Sequence, residues 1–264
     1  MLLLVLLSGA ATTARAQAPA APPECAADEK FANQWYFGFK AGLDFNQASA
    51  DSLPKVLLNS QMIAPAGSGV MSDKDGKILF YSNGKTVWNG DGTVMTNGTG
   101  LDGDSTTTDG PLPLKMPGLP VSGQPTRYLL FTLNSTVGLS YSEIDIPAGG
   151  GAGTVIAMTK NTPIARGTAE KLTGVFHKNG CDIWVIAHGW GAAKAGNDNR
   201  GDAFLAYRVR QPLSTGSPVI DPPIISAVGS LHAPSVAALG YKGQMKVTPD
   251  GQRLALARYS EVLG

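Results

Sequence analysis

The segment Met71-Ser72-Asp73-Lys74-Asp75-Gly76-Lys77-Ile78-Leu79-Phe80-Tyr81-Ser82-Asn83-Gly84-Lys85-Thr86-Val87-Trp88 decides the fold. It reads as a strand, an Asp-Gly turn, a strongly apolar strand, an Asn-Gly turn and a third strand. Asn-Gly between two β-prone runs is a hairpin signal, because a type I′ turn needs positive φ at both central residues. The first half of the unit recurs. Phe176-His177-Lys178-Asn179-Gly180 leads into Cys181-Asp182-Ile183-Trp184-Val185, and Lys246-Val247-Thr248-Pro249-Asp250-Gly251 leads into Gln252-Arg253-Leu254-Ala255-Leu256. A looser copy runs from Pro111 to Met116, through a Pro/Gly-rich turn marked by Gly123, into Arg127-Tyr128-Leu129-Leu130-Phe131. One supersecondary unit recurring at irregular but blade-sized spacing is the mark of a repeat fold.

The second strand of each unit is apolar on both faces, as at Ile78-Leu79-Phe80 and Ile183-Trp184-Val185-Ile186. Third strands, Leu139 to Ile146 and Leu205 to Val209, alternate as a strand with one wet face should. Ragged segments follow, at Gly153-Thr154-Val155-Ile156 and from Ile220 to Ala227. Inner strands covered on both sides by neighbouring blades explain this contrast, so the fold class expected is all-β: a β-propeller with WD40-like blades of four antiparallel strands. Leu79, Leu130, Trp184 and Leu256 should then occupy equivalent, buried inner-strand positions. The last unit stops after Arg253 to Tyr259 without outer strands, leaving about three and a half blades. The sequence therefore reads as a fragment, expected to be unstable, oligomeric or aggregated on its own. Trp35 to Phe39 would complete the final sheet on ring closure.

Composition narrows the function classes. There are 21 Lys+Arg against 20 Asp+Glu, so no basic footprint for nucleic acid is present. With 33 glycines and 18 prolines the chain is turn-rich. No periodic amphipathic helix and no membrane-spanning apolar run interrupts it. The apolar run Leu2 to Leu7, ending in Ala14-Arg15-Ala16, has the form of a secretory signal. The organisation expected is a signal peptide over 1–16, a linker over 17–32 and a partial propeller over 33–264, with export to the cell surface or medium. In an oxidising compartment the two cysteines, Cys25 and Cys181, could pair; alternatively Cys181 is a small buried hydrophobe and Cys25 is free or pairs elsewhere.

Candidate chemistry is sparse. His177, His188 and His232 lack the spacing of a metal site, and the oxygen-rich stretches Asn89-Gly90-Asp91-Gly92 and Asp102 to Asp109 miss the EF-hand pattern. No metal or cofactor is expected. His188 followed by Trp190 at a strand exit gives the ligand-contact candidates, since propellers bind at loop-lined openings. Arg200-Gly201-Asp202 is read as a chance tripeptide. The nucleophile elbow and zinc-protease signatures are missing from the sequence, and no catalytic residue is assigned.

Asn33-Gln34-Trp35-Tyr36-Phe37-Gly38, Gly76-Lys77-Ile78-Leu79-Phe80-Tyr81-Ser82-Asn83-Gly84, Met95-Thr96-Asn97-Gly98-Thr99-Gly100-Leu101 and Asn179-Gly180-Cys181-Asp182-Ile183-Trp184-Val185 carry a resemblance. With Phe204-Leu205-Ala206-Tyr207 and Thr248-Pro249-Asp250-Gly251, the chain resembles the N-terminal propeller-like region of large secreted Bacteroidota surface proteins. These often carry PKD repeats and a gliding-motility-associated C-terminal sorting domain. The resemblance implies a non-catalytic extracellular binding or scaffolding module with an adhesive role. Its partners would be an extracellular protein or glycan and the downstream domains of the same longer chain. The alternative function is a secreted propeller enzyme, a lyase or glycoside hydrolase acting on polysaccharide.

Overall fold

The computed structural model describes residues 30–47, 52–118, 123–189, 203–211, 217–228 and 241–258. Strands take up 51% of them and none is helical. The chain builds a succession of antiparallel sheets. The first holds β1 (Gln34–Phe39), β2 (Ala41–Asp44), β3 (Lys55–Leu57) and β4 (Ile63–Ala64), in the order β3-β2-β1-β4. A meander of β5 (Gly69–Ser72), β6 (Ile78–Ser82), β7 (Thr86–Asn89) and β8 (Val94–Thr99) follows. Next come β9 (Leu112–Lys115), β10 (Thr126–Asn134) and β11 (Gly138–Ile146), with β12 (Thr154–Val155) and β13 (Thr162–Ala165) both pairing with β11. One parallel residue pair, Thr154 with Thr96, joins this group to the meander. Because β5 and β9 also lie side by side, the resulting nine-stranded sheet nearly closes on itself as a barrel does.

The remaining strands are β14 (Thr168–Phe176), β15 (Ile183–Gly189), β16 (Ala203–Arg210), β17 (Val219–Ile220) and β18 (Ile224–Ser226), and the hairpin β19 (Met245–Val247) with β20 (Leu254–Leu256). The first strands of the successive units, β5, β9, β14 and β19, are neighbours in chain order. Two glycines make the first of these approaches possible. A Cβ at Gly67 would stand 2.4 Å from the Gly110 nitrogen, and one at Gly69 would stand 2.6 Å from the Pro111 carbonyl oxygen.

The recurrent turns share one geometry. Gly76, Gly180 and Gly251 have φ of 81°, 74° and 68°, and each donates its N–H to the carbonyl three residues back, at Asp73, His177 and Thr248. The left-handed conformation is the reason each turn places glycine there. The Asn83-Gly84 hairpin forms, but not through a type I′ turn. Only Gly84 has positive φ, at 88°, and Asn83 Oδ1 instead accepts from the N–H groups of Lys85 and Thr86 at 3.0 Å each. The Asn side chain closes a wider loop than the two-residue turn expected.

The first and third cores lie between successive sheets, and the second lies inside the nearly closed nine-stranded sheet. Tyr36, Met62 and Ala64 meet Ile78 and Tyr81 across the first interface, and Tyr36 and Tyr81 pack edge to face at 4.8 Å. Met71, Phe80, Val87 and Met95 meet Tyr128, Leu130, Ile144 and Ile146 across the second. Leu129, Phe131, Leu139 and Tyr141 meet Leu172, Ile183, Val185 and Leu205 across the third. Strand β10 thus sends alternate side chains into two different cores.

Three expectations need correction. Of the four inner-strand residues, Leu130 is fully buried, whereas Leu79, Trp184 and Leu256 are half-buried. In β15 it is Ile183, Val185 and Ala187 that face the dense core, while Trp184 looks toward the short β19–β20 hairpin, which covers it incompletely. Strand β11 has no wet face. Ser140, Ser142 and Glu143 are all buried, because both of its faces carry a neighbouring sheet. Arg127 accounts for Glu143, with an ion pair at 2.9 Å, and also clamps Asp145 at 2.8 Å. Finally, Trp35 to Phe39 does not complete a later sheet; it is the centre of its own.

That first sheet is covered on one face only. Trp35, Phe37, Phe39, Val56 and Ile63 stand on the other, Phe39 being 74% exposed. A contiguous apolar face of this kind promotes association. Replacing Phe37, Phe39 and Val56 by threonine, which keeps strand propensity, is expected to reduce self-association in size-exclusion chromatography with light scattering. Each change should alter stability by no more than about 0.5 kcal/mol. Unchanged self-association would show that this face does not drive it.

Candidate functional site

The four first strands run between two chemically different ends. At one end their final residues, with Phe31 and Cys181, enclose a cavity of about 520 Å³. Met71 of β5, Leu114 of β9, Phe176 of β14 and Val247 of β19 line it, with Met116 just past β9. Gly174 lets β14 come close to β9, since a Cβ there would already touch Leu114 at 3.3 Å. The walls are mostly apolar, which is the usual character of a small-molecule or side-chain pocket.

The other end is sealed by charge. Asp109, just before β9, accepts through Oδ2 from the N–H of Leu172 at 3.0 Å and of Met245 at 2.9 Å. Its Oδ1 faces the Lys246 ammonium at 3.4 Å. Glu170 Oε2 accepts from the Thr108 N–H at 2.9 Å and its hydroxyl at 3.1 Å. Thr108 Oγ1 in turn accepts from the Gly243 N–H at 2.8 Å. Lys171 is fully buried and donates to the carbonyls of Lys242 at 2.6 Å, Gly243 at 3.2 Å and Tyr241 at 3.4 Å. Side chains of the second and third units therefore hold the segment that opens the fourth.

Burial dominates the electrostatics of this knot. It raises the Asp109 carboxyl above its ordinary value despite Lys246 and the two N–H donors. It pushes Lys171 down from 10.5 to about 8, outweighing the nearby Asp109 and Glu170 carboxylates. An amine tuned to this range can serve as a base. Enclosed as it is by three carbonyls and shielded from solvent, Lys171 instead holds backbone in place. Its folded pKa is the depressed one, so the unfolded chain binds more protons between about 8 and 10.5, and stability rises with pH across that window. The urea midpoint of the wild type is expected to climb relative to Lys171→Met as pH is raised from 8 toward 10.5. Parallel profiles would contradict it.

The residues singled out from sequence do not converge. His188 lies on β15, fully buried, edge to face with Phe204 at 4.5 Å, and is not part of the cavity wall. Trp190, His232, Cys25 and Arg200 to Asp202 lie outside the described residues. His177 sits in a turn, its Nδ1 accepting from the Asn179 N–H at 3.1 Å. Cys181 is disulfide-bonded and lines the cavity. The carboxylates of the oxygen-rich loops already have protein partners: Asp91 accepts from Thr93 and Asp104 from Thr106 within their own turns, and Asp109 from other units as above. Among the described residues no group of three or more His, Cys, Asp or Glu side chains is placed to hold a metal. The knot of Asp109, Glu170 and Lys171 was not anticipated. The available signal was the adjacent charged pair Glu170-Lys171 inside a strand whose other residues are uncharged. No family model, curated protein or solved structure matches the chain.

Proposed function

We propose that the chain is a non-catalytic extracellular binding or scaffolding module of a larger secreted or cell-surface protein, adhesive in role and built as a β-propeller. Its blades would be β5–β8, β9–β13 and β14–β18, with β19–β20 as the inner half of another. The observation that supports this reading is the row of first strands, each opening a new antiparallel unit and lying beside the first strand of the unit before. In propellers such strands surround the central channel. Its openings, ringed by loops, are where a partner protein or glycan chain would be held. The role itself is the one that the resemblance to secreted Bacteroidota surface proteins implies. The test is to titrate the secreted protein against a panel of extracellular-matrix proteins and polysaccharides by calorimetry, while following release of reducing ends and of unsaturated products. Saturable binding without product supports the module; product accumulation would replace it with a polysaccharide-degrading enzyme.

A further inference from the structure

We propose that the uncovered face of the first sheet packs against the same face of a second copy of the chain, forming a two-fold dimer. The inference does not depend on the functional reading above. Residues paired across a ladder share a face, and the register sets three rows here. They are Trp35 with Leu43 and Val56, Phe37 with Ala41, and Phe39 with Ile63. Every member is apolar, and no charged side chain stands among them. The one polar atom of these side chains, the Trp35 indole N–H, already donates to the Ala32 carbonyl at 2.9 Å. That bond, with the Phe45 ring at 4.8 Å, holds Trp35 in place although it is 51% exposed. A ring fixed in advance loses little side-chain freedom on association.

The area is what a dimer needs. The rings of Trp35, Phe37 and Phe39, with the exposed side chains of Leu53, Val56, Leu58 and Ile63, offer roughly 600 Å² of apolar surface. A stable interface buries about 800 Å² on each partner, about two-thirds of it apolar when both are copies of one chain. The face supplies that share alone. Its chemistry also selects the occupant. A patch with neither charge nor open donor has nothing to pair with a partner of opposite charge, and it meets its own copy without a like-charge contact. In such an isologous contact each copy covers the other's patch, so association closes at two. Phe37 lies in the middle row and would stand beside the two-fold axis, against Phe37 of the partner subunit.

The experiment is a charge exchange at the axis, read by size-exclusion chromatography with light scattering over a wide range of concentration. The wild-type chain should approach twice the monomer mass and stop there. Phe37→Lys and Phe37→Glu each set like charges against one another, and each should weaken the dimer about a hundredfold. Mixed in equal amounts, the two variants bring opposite charges together and should recover a species of twice the monomer mass. Urea midpoints of the separate variants are read alongside. Should either fail to fold, the same exchange is made at Ala41, the other residue of the middle row. A wild type that stays monomeric, a mass that grows beyond two copies, or a mixture of folded variants that stays monomeric would each overturn the two-fold dimer.

Discussion

Phe131→Ala is expected to lower the unfolding free energy by about 3–5 kcal/mol, read from urea denaturation with the slope unchanged. Phe131 is fully buried at the centre of the third interface, beside Tyr141 and opposite the strands β14 to β16. Truncation removes its transfer free energy and leaves a void that two rigid sheets cannot collapse into. Trp184→Ala should cost clearly less, because that ring already meets solvent beside the β19–β20 hairpin. Equal losses at the two positions would mean that the hairpin covers Trp184 far better than its half-buried state indicates.

The second large effect separates charge from hydrogen bonding at Asp109. Asp109→Ala strands two buried backbone donors, those of Leu172 and Met245, and is expected to cost about 3 kcal/mol. Asp109→Asn keeps an acceptor at the same place and should stay within about 1 kcal/mol of the wild type. The reason is the direction of the pKa shift. Burial raises the folded carboxyl, so its contribution is greatest when protonated and is lost as pH rises through the folded pKa. At neutral pH the negative charge itself is a burden, and the acceptor is what holds the strands. If Asn and Ala prove equally damaging, the attraction to Lys246 carries the site instead.

The hairpins were legible because Asp-Gly and Asn-Gly mark left-handed turn positions that few other residues fill, and Gly76, Gly180 and Gly251 sit at them. Two-faced burial of β10 was legible from Tyr128-Leu129-Leu130-Phe131. Strand β11 was not, since Ser140, Ser142 and Glu143 read as a wet face and only the Arg127 pairing and the sheets on both sides make them internal. The first sheet escaped notice because β3 and β4 are three and two residues long, too short for any period to register. The charged knot escaped because its partners are distant in sequence: Thr108 with Glu170, and Asp109 with Met245. Nothing local in either stretch names the other.

Strand β10 has a consequence for how the molecule comes apart. Its even residues Tyr128 and Leu130 belong to one core and its odd residues Leu129 and Phe131 to the next. Each core therefore couples one group of strands to the next, while the Asp109 carboxylate ties the second unit directly to the fourth through the Met245 N–H. Such systems behave thermodynamically as coupled units, in which stability is a sum of unit terms and coupling terms. Loosening should begin where a sheet is smallest and least covered, at the two-stranded β19–β20 hairpin, and advance from there. The two-core strand is the link whose loss loosens two cores at once.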